Sequence, residues 1–166
     1  MKPVVLFSLI LLLSILILPS SWVHRCRAWA SGAEYLGDES VRFQSGEFTC
    51  GPASLSMVYE LRGLHVSEKE IIDSLPISRN GTTMFDLFQH ARKLGLPVMG
   101  ERLSFKELKI CSFPVILFVH GGHFVVGDSI SGGEVYLRDP ALGRVRYAEL
   151  SFQKIWHGET LVFPTK

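Results

Sequence analysis

The segment EFTCGPASLSMVYEL, residues 47–61, places a cysteine where a helix is expected to begin. From Pro52 onward, apolar residues recur three and four positions apart, which predicts a helix preceded by a turn at 49–51. Unpaired N–H groups and the positive dipole end at a helix N-terminus favour an anion, so a cysteine there becomes more acidic and more nucleophilic. The alternative is that Cys50 is a small buried apolar residue or one half of a disulfide.

The N-terminal part of the chain is unusually apolar. A run of sixteen residues, 4–19, has only two serines among its apolar side chains. Together with the small-x-small motif Ala28-Trp29-Ala30, this run is typical of a secretory signal peptide over residues 1–30. Cleavage after Ala30 would leave residues 31–166 as one folded domain, which is long enough to bury a core.

Two arginines make the leader atypical. Arg25 and Arg27 follow the apolar run, whereas only Lys2 precedes it, and positive charge on that flank resists translocation. An uncleaved membrane anchor, attached through residues 4–19, is therefore the alternative. In either case we expect an exported protein, periplasmic or anchored to the inner membrane.

Composition excludes several other classes of protein. The formal net charge is +1, and no cluster of lysines and arginines is present that could follow a phosphate backbone. We therefore expect no nucleic-acid partner. The histidines lack the spacing of paired zinc ligands, so we expect no metal and no cofactor. An exported domain that keeps Cys50 and Cys111 leaves a disulfide between them open.

The first half of the domain has helical signals. Residues 31–47 are polar and predict an extended arm. Ser67 to Glu70 form a capping box, which predicts a helix ending near Pro76. The turn at 80–83 then predicts a third helix, which Gly95 ends.

The second half predicts strands. The runs PVILFVH (114–120) and HFVVGD (123–128) flank a Gly-Gly pair, which is typical of a hairpin. The run EVYLRDP (134–140) predicts a third strand, and residues 143–147 a fourth. Residues 149–163 predict a short helix and a closing strand. Helices followed by a mostly antiparallel sheet indicate the α+β class.

Activating a thiol requires a base within hydrogen-bond reach and a group that orients the base. His123 opens a strand with a core-like sequence, and Asp139 ends the next strand, so adjacent antiparallel strands would bring the two together. Gln44, on the arm before Cys50, could add an amide to the backbone N–H of Cys50 as an oxyanion donor. The other histidines of the domain are interpreted as surface residues: His65, His90 and His157, with His120 at the hairpin turn.

Several short motifs in a fixed order make the chain resemble the C39 peptidase family. The motifs are Gln44, Cys50-Gly51-Pro52-Ala53, Gly81-Thr82-Thr83, Leu94-Gly95, Pro114-Val115-Ile116, His123-Phe124-Val125-Val126 and Asp139-Pro140-Ala141. The resemblance covers about residues 40–164.

The resemblance implies a papain-like cysteine peptidase fold and a role for each candidate side chain. It implies Cys50 as the nucleophile, His123 as general base and acid, Asp139 as the group that orients His123, and Gln44 in the oxyanion hole. Members fused to exporters cut leader peptides after a Gly-Gly pair, whereas this chain is similar in organisation to exported, stand-alone relatives. Thr49 departs from the acidic residue that often precedes the nucleophile in the exporters.

These observations leave two functions open. The first is an exported cysteine endopeptidase that processes a peptide or secreted protein, with a secretion-system or outer-membrane export partner. The second is a non-catalytic module that uses the same cleft to bind a Gly-rich segment, in secretion or in functional-amyloid assembly.

Overall fold

The computed structural model describes residues 20–164, in which one seven-stranded sheet carries helices on both faces. The helices are α1 (Ser20–Ala30), α2 (Cys50–Leu61), α3 (Glu68–Ser74), α4 (Met84–Lys93), α5 (Phe105–Leu108) and α6 (Glu149–Phe152). The strands are β1 (Glu34–Gly37), β2 (Met99–Arg102), β3 (Val115–Val119), β4 (His123–Ser131), β5 (Glu134–Asp139), β6 (Gly143–Ala148) and β7 (Trp156–Val162). The predicted α+β class is confirmed.

The sheet is antiparallel throughout, in the order β1-β6-β5-β4-β3-β7-β2. The predicted hairpin between β3 and β4 turns at Gly121-Gly122, and the next hairpin turns at Gly132-Gly133. Between Gly127 and Ser129 the register of β4 against β5 shifts by one residue. The four strands predicted from residues 114–147 are confirmed.

The two edge strands, β1 and β2, and the short helix α5 were not predicted from the sequence. β1 lies within the segment expected to be an extended arm, where it pairs with β6, and β2 pairs with β7. All four residues of β2 are exposed, so this strand has no alternation of apolar and polar side chains. Such edge strands form because a neighbouring strand offers unpaired backbone groups, and that signal is not local in sequence.

Alternate residues of the central strands bury on opposite faces. Ile116 of β3 packs with Leu55 of α2 and Leu87 of α4 on one face. Its neighbour Leu117 faces the other way, where it packs with Ala28 of α1. Helix α2, which carries Cys50, and the N-terminal helix α1 therefore lie on opposite faces of the sheet.

Both predicted helix starts are confirmed by their capping boxes. The Ser67 hydroxyl accepts from the Glu70 N–H while the Glu70 carboxylate accepts from the Ser67 N–H, and Thr83 and Asp86 form the same reciprocal pair. The second box fixes the start of α4 beside the turn at 80–83.

The interpretation of His90 as a surface residue was wrong. Its side chain is buried on α4, and Nδ1 shares a hydrogen bond of 2.6 Å with the hydroxyl of Tyr59 on α2. Burial lowers the pKa of His90 and raises that of Tyr59, so the imidazole is neutral at pH 7 and joins α2 to α4. Nothing in the sequence around His90 marks it as a partner of a tyrosine 31 residues away.

The helix that falls within the predicted leader packs on the domain. Ala28 is fully buried, and the Ser31 hydroxyl that follows α1 lies 3.1 Å from the hydroxyl of Tyr147. His24 contacts Asp38 at 3.2 Å and stacks on Phe43 with ring centroids 4.5 Å apart. The apolar run at 4–19 lies outside the described residues. Within residues 20–164, no helix has the length and apolar character needed to cross a bilayer.

Candidate active site

Cys50 is the first residue of α2, which begins two residues earlier than the expected start at Pro52. The hydroxyl of Thr49, at the N-cap, makes no capping hydrogen bond to the helix. Gly51 lets this end of α2 approach the sheet, because a Cβ there would lie 3.3 Å from side-chain atoms of both Leu87 and Phe124. The thiol is consequently held against the start of β4.

His123 and Asp139 meet at one edge of the sheet. His123 opens β4 and Asp139 closes the antiparallel neighbour β5, so these strand ends lie together. Nε2 of His123 is 2.9 Å from Oδ1 of Asp139. The same carboxylate oxygen accepts from the N–H groups of Ala141 and Leu142 at 2.7 and 3.2 Å. Asp139 is only 4% exposed, and these bonds fix its orientation.

The imidazole of His123 also interacts with the Cys50 thiol, and this interaction lowers the pKa of the thiol. Since Nε2 is directed to Asp139, Nδ1 is the nitrogen left for sulfur. Burial opposes ionisation of the thiol, but the neighbouring imidazole of His123 and the N–H groups of Phe124 and Gly51 lower the pKa of Cys50 overall. Burial also opposes a charged imidazole, yet its bonds to Asp139 and Cys50 raise the pKa of His123 to about 10. The site therefore favours a thiolate beside an imidazolium.

Gln44 lies on the arm before α2, as predicted, but its side chain is directed along that arm. Nε2 donates to the carbonyls of Gly46 and Glu47 at 2.7 and 3.2 Å. Oε1 is buried without a hydrogen-bond partner in the described part of the chain. The main chain of Gln44 donates to the carbonyl of Pro140 at 2.9 Å, which ties the arm to the strand end that carries Asp139.

A cleft of about 420 Å³ opens beside Cys50. Its apolar wall comes from four side chains in three separate parts of the chain: Phe48, Met84, and the cross-strand pair Phe118 and Phe124. Glycines at 81, 121 and 122 complete the wall, with Glu47 and Glu159 as its acidic members. The alternation of side chains along the strand at 114–120 could have predicted that Phe118 faces α2. No sequence pattern indicates that Glu159 lines the cleft.

The disulfide between Cys50 and Cys111 does not form in this fold. Both thiols are free, and they belong to apolar clusters on opposite faces of the sheet. Burial and nearby glutamates raise the pKa of Cys111. Cys111 is therefore an internal reference thiol for Cys50.

Alkylation by iodoacetamide should separate these two thiols. We expect Cys50 to react as a thiolate well below the ordinary thiol pKa of about 8.5 and to stay reactive as pH rises. Its reactivity should fall only when acid protonates sulfur, because its pKa is lowered, whereas Cys111 should react above the ordinary range. The measurement is the rate at each cysteine against pH by peptide mass spectrometry. Equal profiles for the two cysteines would contradict the ion pair.

The sequence profile of the peptidase C39 family matches residues 38–166. The chain belongs to this family. Solved C39 peptidase domains share its fold: a double-glycine-motif protease from an AMS/PCAT transporter, in complex with a leader peptide, superposes with a TM-score of 0.72 at 32% identity, over 75% of this chain and 91% of that chain. The predicted papain-like α+β fold and the predicted family are confirmed.

Other relatives match this chain over different shares of their own length. An uncharacterised protein of Methanothermobacter marburgensis is 34% identical over 77% of this chain and 90% of its own length. The probable functional amyloid protease FapD of Pseudomonas aeruginosa is 31% identical over 69% of this chain and 56% of its own. The peptidase domain of Streptococcus ComA, at 22% identity and a TM-score of 0.69, covers 75% of this chain and 98% of its own and shows the fold alone.

Proposed function

We propose that this C39 peptidase is an exported cysteine endopeptidase that cuts a peptide or secreted protein through an acyl-enzyme on Cys50. The observation that supports it most directly is the chain of interacting side chains from Cys50 through His123 to Asp139, in which His123 hydrogen-bonds to Asp139. That chain stands at the wall of a cleft with room for a peptide. A nucleophile, a base and an orienting carboxylate in this order constitute the general requirement for thiol catalysis.

In the proposed reaction the Cys50 thiolate attacks the scissile carbonyl carbon, and a C–S bond forms. The imidazolium of His123 gives its proton to the departing amine as the C–N bond breaks, which leaves a thioester and neutral imidazole. His123 then takes a proton from water, whose oxygen attacks the thioester carbonyl and displaces the thiolate. Asp139 stays ionised and holds Nε2 throughout.

The oxyanion is the negative oxygen that forms during each attack. The N–H groups at the start of α2, including that of Cys50, provide donors there. We propose Gln44 as the second source. Because Gln44 donates to Gly46 and Glu47 in the substrate-free fold, its contribution requires the amide to turn towards the cleft when substrate binds.

The substrate class follows from the cleft and the relatives together. Glycines line the cleft near His123, which suits a chain with small residues at the scissile bond. The neighbour at 32% identity is a double-glycine-motif protease bound to a leader peptide. We therefore propose a Gly-containing leader or secreted protein as substrate and a secretion system as the partner that presents it.

The test is direct capture of the acyl-enzyme. The reduced full chain is incubated with a peptide library containing Gly-Gly pairs, quenched in acid and analysed by intact mass. We expect cleaved peptides together with an adduct on Cys50, and the Cys111→Ser variant should behave like the parent chain. Tight peptide binding without any cleavage, although Cys50 still reacts with iodoacetamide, would instead favour a binding module.

A further inference from the structure

The outer side of α1 presents large apolar side chains to solvent. Trp22 is 53% exposed and Trp29 is 82% exposed, with Val23 at 49%. Cys26 is also exposed. Trp22, Cys26 and Trp29 are spaced four and three residues apart, so they fall on one side of a helix with 3.6 residues per turn. Ala28, on the opposite side, is buried against the sheet.

Two arginines flank this apolar row. Arg25 and Arg27 are both exposed, and their helical positions place them on either side of the row. Neither forms an ion pair within residues 20–164. Each guanidinium is thus available to an external anion.

We propose that the face formed by Trp22, Val23, Cys26 and Trp29, with its flanking arginines, lies in the interface of a phospholipid membrane containing anionic lipids. Tryptophan is enriched at this depth of a bilayer, and a short helix with apolar and basic sides binds there parallel to the surface. The apolar run at 4–19 ends immediately before α1 begins at Ser20. A membrane-compatible segment thus immediately precedes this face in the sequence.

The contacts on the inner side of α1 indicate that this helix is part of the folded mature protein. Ala28 packs in the core, and His24 bonds to Asp38. Cleavage after Ala30 would remove both contacts together with the exposed tryptophans. The proposal therefore requires that α1 remains in the mature chain, so that any cleavage by a signal peptidase occurs before Ser20.

The test is quenching of tryptophan emission by brominated lipid in the full chain. The chain is reconstituted, one copy per nanodisc, in phosphatidylcholine and phosphatidylglycerol whose acyl chains carry bromine near the headgroup. Trp22→Phe leaves Trp29 as the exposed reporter, and Trp29→Phe leaves Trp22. The double variant gives the emission of buried Trp156 alone. Adding Phe85→Trp to it provides an exposed control on α4, across the sheet.

We expect Trp29 to be quenched by the bromine at least about twofold and nearly as strongly as Trp22, since both lie on a helix parallel to the surface. The Phe85→Trp control should not be quenched. Arg25→Glu with Arg27→Glu should reduce the quenching of Trp29. A helix that points away from the membrane would carry Trp29 about 10 Å beyond Trp22 and leave it unquenched, which would overturn the proposal.

Two further outcomes also count against it. If neither brominated lipid nor aqueous acrylamide quenches Trp29, protein rather than lipid covers the face. If the intact mass of the chain purified from cells shows that it begins after Ala30, the face is not part of the mature protein. Neither result bears on cleavage by Cys50, so this proposal and the proposed peptidase function are tested independently.

Discussion

Replacing Cys50 with alanine is expected to abolish peptide cleavage, with a fall of at least about 10⁴-fold in kcat, because no other nucleophile takes its place. The structure supports this expectation because the neighbouring His123 helps to lower the pKa of the Cys50 thiol. The measurement is the rate of product formation from a peptide found to be cleaved. Cys50→Ala should still bind that peptide, since the cleft wall is unchanged.

Cys111→Ala is the matched control for that variant. It removes a thiol of the same size from the other face of the sheet, and we expect its kcat to equal that of the parent chain. Thermal unfolding of both variants shows whether the fold is retained. If Cys50→Ala keeps more than a few per cent of the parent rate, Cys50 is not the nucleophile.

Replacing His123 with alanine is expected to lower kcat by about 10²-fold to 10⁴-fold, which is the usual contribution of a positioned acid and base. It should also return the Cys50 pKa towards about 8.5, because the hydrogen bond and the positive charge of the imidazolium are both lost. The measurements are kcat and the pH dependence of Cys50 alkylation in the same preparation.

Asp139→Asn provides a graded comparison for the His123 variant. The amide keeps the size of the carboxylate but removes its charge, which together with the Cys50 interaction raises the His123 pKa from its usual 6.5 to about 10. The imidazolium should then lose its proton at a lower pH, so the alkaline limit of kcat should move to lower pH while the peptide KM changes little. An unchanged alkaline limit would show that Asp139 does not act through His123.

Sequence alone predicted those parts of the fold whose signals are local. The capping boxes at Ser67 and Thr83 contain both reciprocal partners within four residues, and the hairpin before His123 is encoded by two apolar runs around a glycine pair. The strands at the sheet edges have no such signal, because they depend on pairing with β6 and β7. α1 was assigned to a leader because an apolar run precedes it and Ala28-Trp29-Ala30 fits a cleavage motif, although Arg25 and Arg27 made that leader atypical.

The candidate site also has parts that the sequence predicts and parts that depend on the tertiary structure. Proximity of His123 and Asp139 followed from adjacent antiparallel strands, and the structure has them in contact. The direction of the Gln44 amide depends on the carbonyls of Gly46 and Glu47, which a sequence pattern does not place. The apolar wall of the cleft could not be predicted from the sequence either, because its residues come together only when the sheet forms.

The one-residue register shift between Gly127 and Ser129 has a consequence for how the family can vary in length. His123 and Asp139 stand at the two open ends of a single hairpin, and side chains alternate between the faces of a sheet. One amino acid inserted within either strand would turn Asp139 to the wrong face unless a bulge absorbed it, as the bulge between Gly127 and Ser129 absorbs one residue of β4. Homologues should therefore place their indels at the turn at 132–133 or outside the hairpin, at 95–98 or 153–155, whereas a length change within β4 or β5 should be accompanied by the gain or loss of a bulge.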